Sequence, residues 1–322
     1  MLRFALKRAV AAVLVLFAIS VLVFLIFFAT PGADPAARIA GRNASQETLA
    51  QVRASFGFDK PIPVQYALMM RHLFIDRDLT SFVNRGVEVI PQIKQAIPIT
   101  LSLVIGAAII WLIFGILMGV GATAGRGSAV DPLIMIIGVI GVSLPVYWLG
   151  EVVNLVTQNR LHDSVFSWVP PLGYAPLSSG VWNWASHLLM PWLTLAVLYA
   201  GIYARVLRSE MVGAMNEEYV RMARAKGISE RRVLWRHAFR TSLIAIVSLF
   251  GLDFGALIGG AALLSEVVFG LQGVGKLTYD SLQNFDLPVI LGCVMYAAFF
   301  VVLANFLVDL VYALLDPRVR HV

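Results

Sequence analysis

The chain reads as an all-α integral membrane protein with six transmembrane helices, and three observations predict this. Of its 322 residues, 59% are hydrophobic and 14% charged, with a mean hydropathy of +0.81, far from the composition of soluble globular chains. Six apolar stretches, at 9–29, 96–121, 133–156, 188–206, 243–264 and 287–315, each supply the ~20 helical residues that a bilayer core requires. Lys and Arg are sorted by side. With the N-terminus in the cytoplasm, 15 fall inside and 10 outside, and 8 of the outer ones lie in the long loop 31–95. Long loops weigh little in orientation, so the short-loop contest is 15 against 2 and both termini are expected in the cytoplasm. The same bias, with anionic lipid headgroups, accounts for a pI near 9.6 without nucleic acid.

The first span follows Arg3, Lys7 and Arg8. Its 21 apolar residues exceed a signal-peptide core, and Thr30-Pro31 follows in place of a small-residue cleavage site, so residues 1–30 read as a retained anchor. The loop 31–95 carries Leu49, Val52 and Phe56 at helical spacing and reads as a small extracytoplasmic helical cap. The membrane core is expected at 96–315, with a polar loop at 207–240, and residues 316–322 form a cytoplasmic tail. Trp168, Trp182 and Trp184, with Pro170-Pro171, suit anchoring at a membrane interface. Cys293 stands alone inside the last span, where it reads as a small apolar packer.

The polar loop is the segment a cytosolic partner could grip. Leu207, Met211, Met215, Tyr219 and Met222 recur at spacings of three and four, predicting an apolar stripe on one helix. Gly227 suits a positive φ at a helix C-terminus, and Ser229 is placed to cap a second helix carrying Val233, Leu234 and His237. Nine Lys or Arg against four Glu in 205–240 also fit a DNA-binding helix-turn-helix, but apolar spans leave from both ends and would pin both helices against lipid.

The stretch Tyr219 to Gly227, YVRMARAKG, resembles the EAA loop of permeases from ATP-binding-cassette (ABC) importers, in the form used by the dipeptide and oligopeptide branch. Aligned on Gly227, the general E-A-A signature falls on Arg221, Met222 and Ala223, of which only Ala223 matches. The proline that commonly follows the second helix is absent, with TSLIA at 241–245. The similarity extends along nearly the whole chain: PGADP at 31–35, FGFDKPIPVQY at 56–66, SLPVYWLG at 143–150 and NFLVDLVYALLDPRVR at 305–320.

The resemblance implies a type I importer permease fold and transport of dipeptides or oligopeptides by alternating access across a bacterial or archaeal inner membrane. Nickel chelates, glutathione or another peptide-sized solute are the alternatives on the same scaffold. The implied partners are a homologous second permease, two cytosolic ATPases that bind ATP and Mg, an extracytoplasmic substrate-binding protein and membrane lipid. This chain itself would hold no cofactor and no catalytic site. Coupling to the ATPases would fall to Met215, Tyr219, Arg221, Ala223, Arg224, Ala225, Lys226, Gly227 and Arg231. A stand-alone secondary transporter, the reading from a different class, would leave the Gly227 unit without a purpose.

GLQGVGKL at 270–277 fits G-x-x-x-x-G-K after an apolar run at 267–269, but Leu277 stands where a phosphate loop needs Ser or Thr. By the resemblance it is instead a re-entrant turn, with Gln272 where proline is usual. Among acids in spans, Glu151 is expected to face solvent and Asp309 to bond Asn305. Asp253 and Gly255 are the candidates for the translocation path, within a Gly251, Gly255, Gly259 stripe suited to close helix packing. The five His are scattered without metal-ligand spacing.

Overall fold

The computed structural model describes residues 2–28, 36–37, 45–81, 83–84, 86–159 and 162–315. The PGADP stretch at 31–35, Arg160 and the tail 316–322 lie outside them. The described chain is helical throughout, apart from turns and one bridge between Thr80 and Glu88. Helix α1 spans Leu2–Phe28. The cap consists of α2, Gln46–Phe56, and α3, Ile62–Arg71, which widens into a π-turn at His72–Asp76. Ser45 caps α2 by accepting from the Thr48 N–H, and Leu49, Val52 and Phe56 form the inward stripe expected there, with Val52 fully buried.

Helix α4 runs Val89–Ala124; α5, Val130–Ser143; α6, Val146–Thr157; and α7, Val181–Met215. After α8, Glu218–Ala225, comes α9, Glu230–Ala261, with π-turns at Val233–Phe239 and Leu257–Ala261. Two short helices follow, α10, Leu263–Val268, and α11, Val274–Gln283, and α12 closes the fold at Leu287–Leu315. Among the described residues, five helices are long and apolar enough to cross a membrane, or six if α5 and α6 count as one broken span.

That break corrects the straight span expected at 133–156. Helices α5 and α6 meet at 94°. Pro145 has no N–H to continue the helix, and its ring disfavours helical geometry at the preceding residue, which leaves Leu144 extended at φ −92°, ψ 127°.

The core sits between α4 and α7, around Trp111, Leu195, Tyr203, Leu207 and Met211, all buried. In the first turn of α5, Asp131 receives a forked salt bridge from Arg208 of α7. A second core joins the cap to α4 and α12 through Met69, Leu73, Val89, Ile93 and Leu291. There the Ser81 hydroxyl donates to the Asp286 carboxylate just before α12. Cys293 is buried within this core.

The glycine stripe of α9 lies against α12. A Cβ at Gly251 would overlap Val308 and one at Gly259 would overlap Val301, while Gly255 faces Ala304. The backbones approach closely because no side chain separates them. Helix α1 is peripheral: Leu6, Val10, Val13 and Leu22 point outward, and its inner side rests on α12 and the cap, where Ser20 Oγ lies 2.6 Å from the Tyr66 hydroxyl.

Candidate functional site

The elbow between α7 and α9 begins where α7 stops at Met215. Glu217 turns extended, at φ −68°, ψ 152°, and starts the eight-residue α8. Its C-terminus is closed by Gly227 at φ 76°, with the Ile228 N–H donating to the Ala223 carbonyl at 3.2 Å and the Gly227 N–H to Arg224 at 2.9 Å. This left-handed closure is strained for a residue bearing a Cβ. Ile228 then folds onto Val220, Ala223 and Val233, a miniature core of the elbow itself.

Arg224 is the clasp of this unit. Its guanidinium forks onto Glu230, at 2.7 and 3.1 Å, and its Nη1 reaches the Met215 carbonyl at 3.4 Å. One side chain thus joins the end of α7, α8 and the start of α9, and the Glu230 partner holds its pKa above the usual arginine value.

Several expectations need correction here. The stripe from Leu207 to Met222 is split by the break after Met215: Leu207 and Met211 are buried, but Tyr219 is 39% and Met222 61% exposed. The restart of the helix rotates the periodicity, so Val220 and Ala223 face inward instead. Ala223 therefore supports the bend and offers no contact surface. Ser229 takes the extended geometry of a helix-capping residue, yet its side chain makes no capping bond; the fork from Arg224 to Glu230 binds this corner. The second helix is not a short separate piece, because Glu230 opens the 32-residue α9.

Met215 is half-buried, and Arg221, Arg224, Ala225, Lys226, Gly227 and Arg231 are exposed. Sequence reasoning missed Trp235, which is 44% exposed. With Tyr219 and Met222 it gives the elbow three large exposed apolar side chains among its cations. Its place among Arg231, Arg232 and Arg236 was the available signal.

Within the bundle, Asp253 and Gly255 lie on different faces of α9. Gly255 is buried against α12, a packing position rather than a path-lining one. Asp253 turns toward the core, where the Tyr203 hydroxyl faces it. Asp253 Oδ2, Tyr203 Oη and Trp111 Nε1 form a buried polar cluster inside the bundle. Asp309 pairs with Arg8 at 3.1 Å, correcting the expected bond to Asn305. Glu151 is exposed.

The hairpin of α10 and α11 is no phosphate loop. Residues 267–269 end a helix, not a strand, and the Glu266 carboxylate packs against Gly273 and Gly275, inside the turn where a phosphate would have to sit. Lys276 pairs with Asp280 at 3.0 Å. Glu266 is fully buried: Thr100 of α4 donates to it at 2.6 Å and the Lys276 N–H at 2.9 Å, while Thr100 accepts from the Val274 N–H at 2.9 Å. Burial pushes the Glu266 carboxyl up to about 7, outweighing the donors that pull it down. On the cap, His72, Asp76 and Asp78 come together, a grouping that His spacing did not reveal. Asp76 pairs with Arg71 at 2.9 Å, and His72 lies 2.7 Å from Asp78.

The class this fold defines is a multi-span helical membrane protein with a polar elbow between two of its long helices. The model for the inner membrane component of binding-protein-dependent transport systems matches residues 111–321, and the N-terminal model of that membrane component matches 1–104. The chain belongs to this family. It is 37% identical over 317 residues to a protein of Brucella abortus described as a peptide transport system permease, covering 98% of each chain. A protein of Sinorhizobium fredii described as a peptide ABC transporter permease is 34% identical over 318 residues, again 98% of each. The glutathione transport system permease protein GsiC of Salmonella typhimurium is 35% identical over 321 residues, 100% of each.

Proposed function

We propose that this chain is the permease subunit of an ABC importer for dipeptides and oligopeptides, working beside a second homologous permease. Two cytosolic ATPases would grip the elbow, and an extracytoplasmic binding protein would deliver substrate on the cap side. The observation that carries the coupling role is the elbow's construction: a unit with its own small core, clasped by Arg224, continuous with α9, and exposing Tyr219, Met222 and Trp235 among cations. A patch of this kind fits a protein partner, with apolar anchors inside a charged rim. Because α9 continues the elbow, displacement of α8 reaches the bundle without an intervening flexible linker, as a two-state switch requires. The relatives' names support peptides as cargo, with glutathione, itself a small peptide, as the alternative. Both termini would lie in the cytoplasm, a reading supported by the distribution of basic residues.

The test is uptake and substrate-stimulated ATP hydrolysis in liposomes holding the full complex, with Gly227 intact or changed to Val. A β-branched residue at φ 76° strains the elbow. The expected result is an assembled complex that hydrolyses ATP without substrate-stimulated uptake. Unchanged uptake, or transport by this chain without any ATPase, overturns the reading.

A further inference from the structure

We infer that the seam between α1 and α12 is a binding site for one anionic phospholipid, with its headgroup on Arg77 and Lys94. A cavity of about 380 Å³ opens between α1, the cap, α4 and α12, and its wall carries Arg77, Lys94 and Tyr296. Leu16 and Phe299 line both this cavity and a second of about 160 Å³ farther along the seam. Ala12, Val302 and Phe306 join that one to a third, also of about 160 Å³. The result is a narrow apolar channel along α12 from Gly292 to Asp309, roughly 25 Å at the helical rise.

Shape and charge select the occupant. A helix, about 10–12 Å across, would have to lie on this channel, whereas an acyl chain fits within it. Charge places the headgroup at the cap end. At the opposite end Arg8 is already neutralised by Asp309. Arg77 lies between two acids that are engaged elsewhere, Asp76 with Arg71 and Asp78 with His72, and among the described residues no acid pairs with either Arg77 or Lys94. Both are exposed, so their stems lie along the apolar wall while their charges reach the headgroup level. The assignment to the outer leaflet rests on the orientation proposed above; the preference for negative charge does not.

The experiment uses the intact complex, purified in detergent and offered phosphatidylglycerol and phosphatidylcholine in equal amounts, with retained lipid counted by native mass spectrometry. The wild-type complex is expected to retain one phosphatidylglycerol selectively. Replacing both exposed cations, R77Q with K94Q, removes about 1 kcal/mol of attraction each and lowers that retention about thirtyfold. The control K60Q, at an exposed cap cation outside the channel wall, leaves it unchanged. Filling the channel with Ala12→Phe lowers retention of either lipid while leaving subunit composition intact. Equal retention by the double variant, no preference between the lipids, or a photo-crosslink from Phe299 to the second permease in place of lipid would each refute the site. Lipid retention is read without ATP or substrate, so it stands or falls separately from the coupling role of Gly227.

Discussion

The elbow and the α10–α11 hairpin share one construction and hold it by opposite means. Each is a pair of helices joined through a left-handed glycine, Gly227 at φ 76° and Gly270 at φ 65°. The elbow is held by three buried aliphatic side chains, half-buried Ile228 and an exposed ion pair, with its other large side chains facing outward. The hairpin is held by a buried carboxylate that collects an O–H from α4 and an N–H from α11. A surface clasp binds a module to itself and leaves it free to move as a unit. A buried polar knot binds the module to the scaffold, because breaking it strands donors away from water. The hairpin is thus anchored to α4, while the elbow is continuous with α9 and otherwise presented to a partner.

The largest expected effect comes from breaking the knot. Glu266→Ala leaves the Lys276 N–H without its acceptor and the Thr100 hydroxyl without its own, and opens a void against Gly273. A loss of about 3 kcal/mol is expected, read as a lowered Tm and as faster hydrogen exchange in α11 than in α8. Equal loss of protection in the elbow would show that the two regions are not independent.

A smaller effect follows from titration. The folded carboxyl sits at about 7, above its ordinary 4.5, so the folded state holds the proton more tightly than the unfolded chain. Its stabilising contribution is complete below about pH 4.5 and is lost as pH rises through about 7. Tm measured across this window should fall with rising pH, and Glu266→Gln, which carries no titrating proton, should flatten that part of the slope. An unchanged slope in the variant would assign it to another group.

The smallest effect belongs to the clasp. Arg224→Ala removes a surface pair and should cost under about 1 kcal/mol of stability, with Tm nearly unmoved. Its readout is ATPase retention during purification, which should become weaker and more salt-sensitive. A Tm loss matching that of Glu266→Ala would erase the distinction between clasp and knot.

What could be read from the sequence follows the range of the forces. Apolarity is a local property, so the long helices were legible, as were the cap stripe at Leu49, Val52 and Phe56 and the turn at Gly227. The 94° break at Pro145 was present in the sequence as a proline within an apolar run, yet hydropathy averages over it and saw one span. The stripe past Met215 misled for a related reason: three-and-four spacing says nothing about a helix that stops and restarts. The knot was not legible, since Thr100 and Glu266 stand 166 positions apart, and neither residue type announces its partner. The same holds for Arg8 and Asp309. Trp111 and Tyr203 resembled any core aromatics until the fold gathered them around Asp253.

The pairing of Arg8 with Asp309 also sets a timetable. The first helix meets its mate only when about three hundred further residues have been made, roughly 15 to 60 s of synthesis at ordinary ribosome speed. Throughout that wait α1 has the cap to rest on, while its seam stands open to lipid. The last stretch to be translated is therefore the one that shuts the molecule, and a message cut short before codon 309 would release a protein whose first helix rests on the cap without its ionic latch to the last.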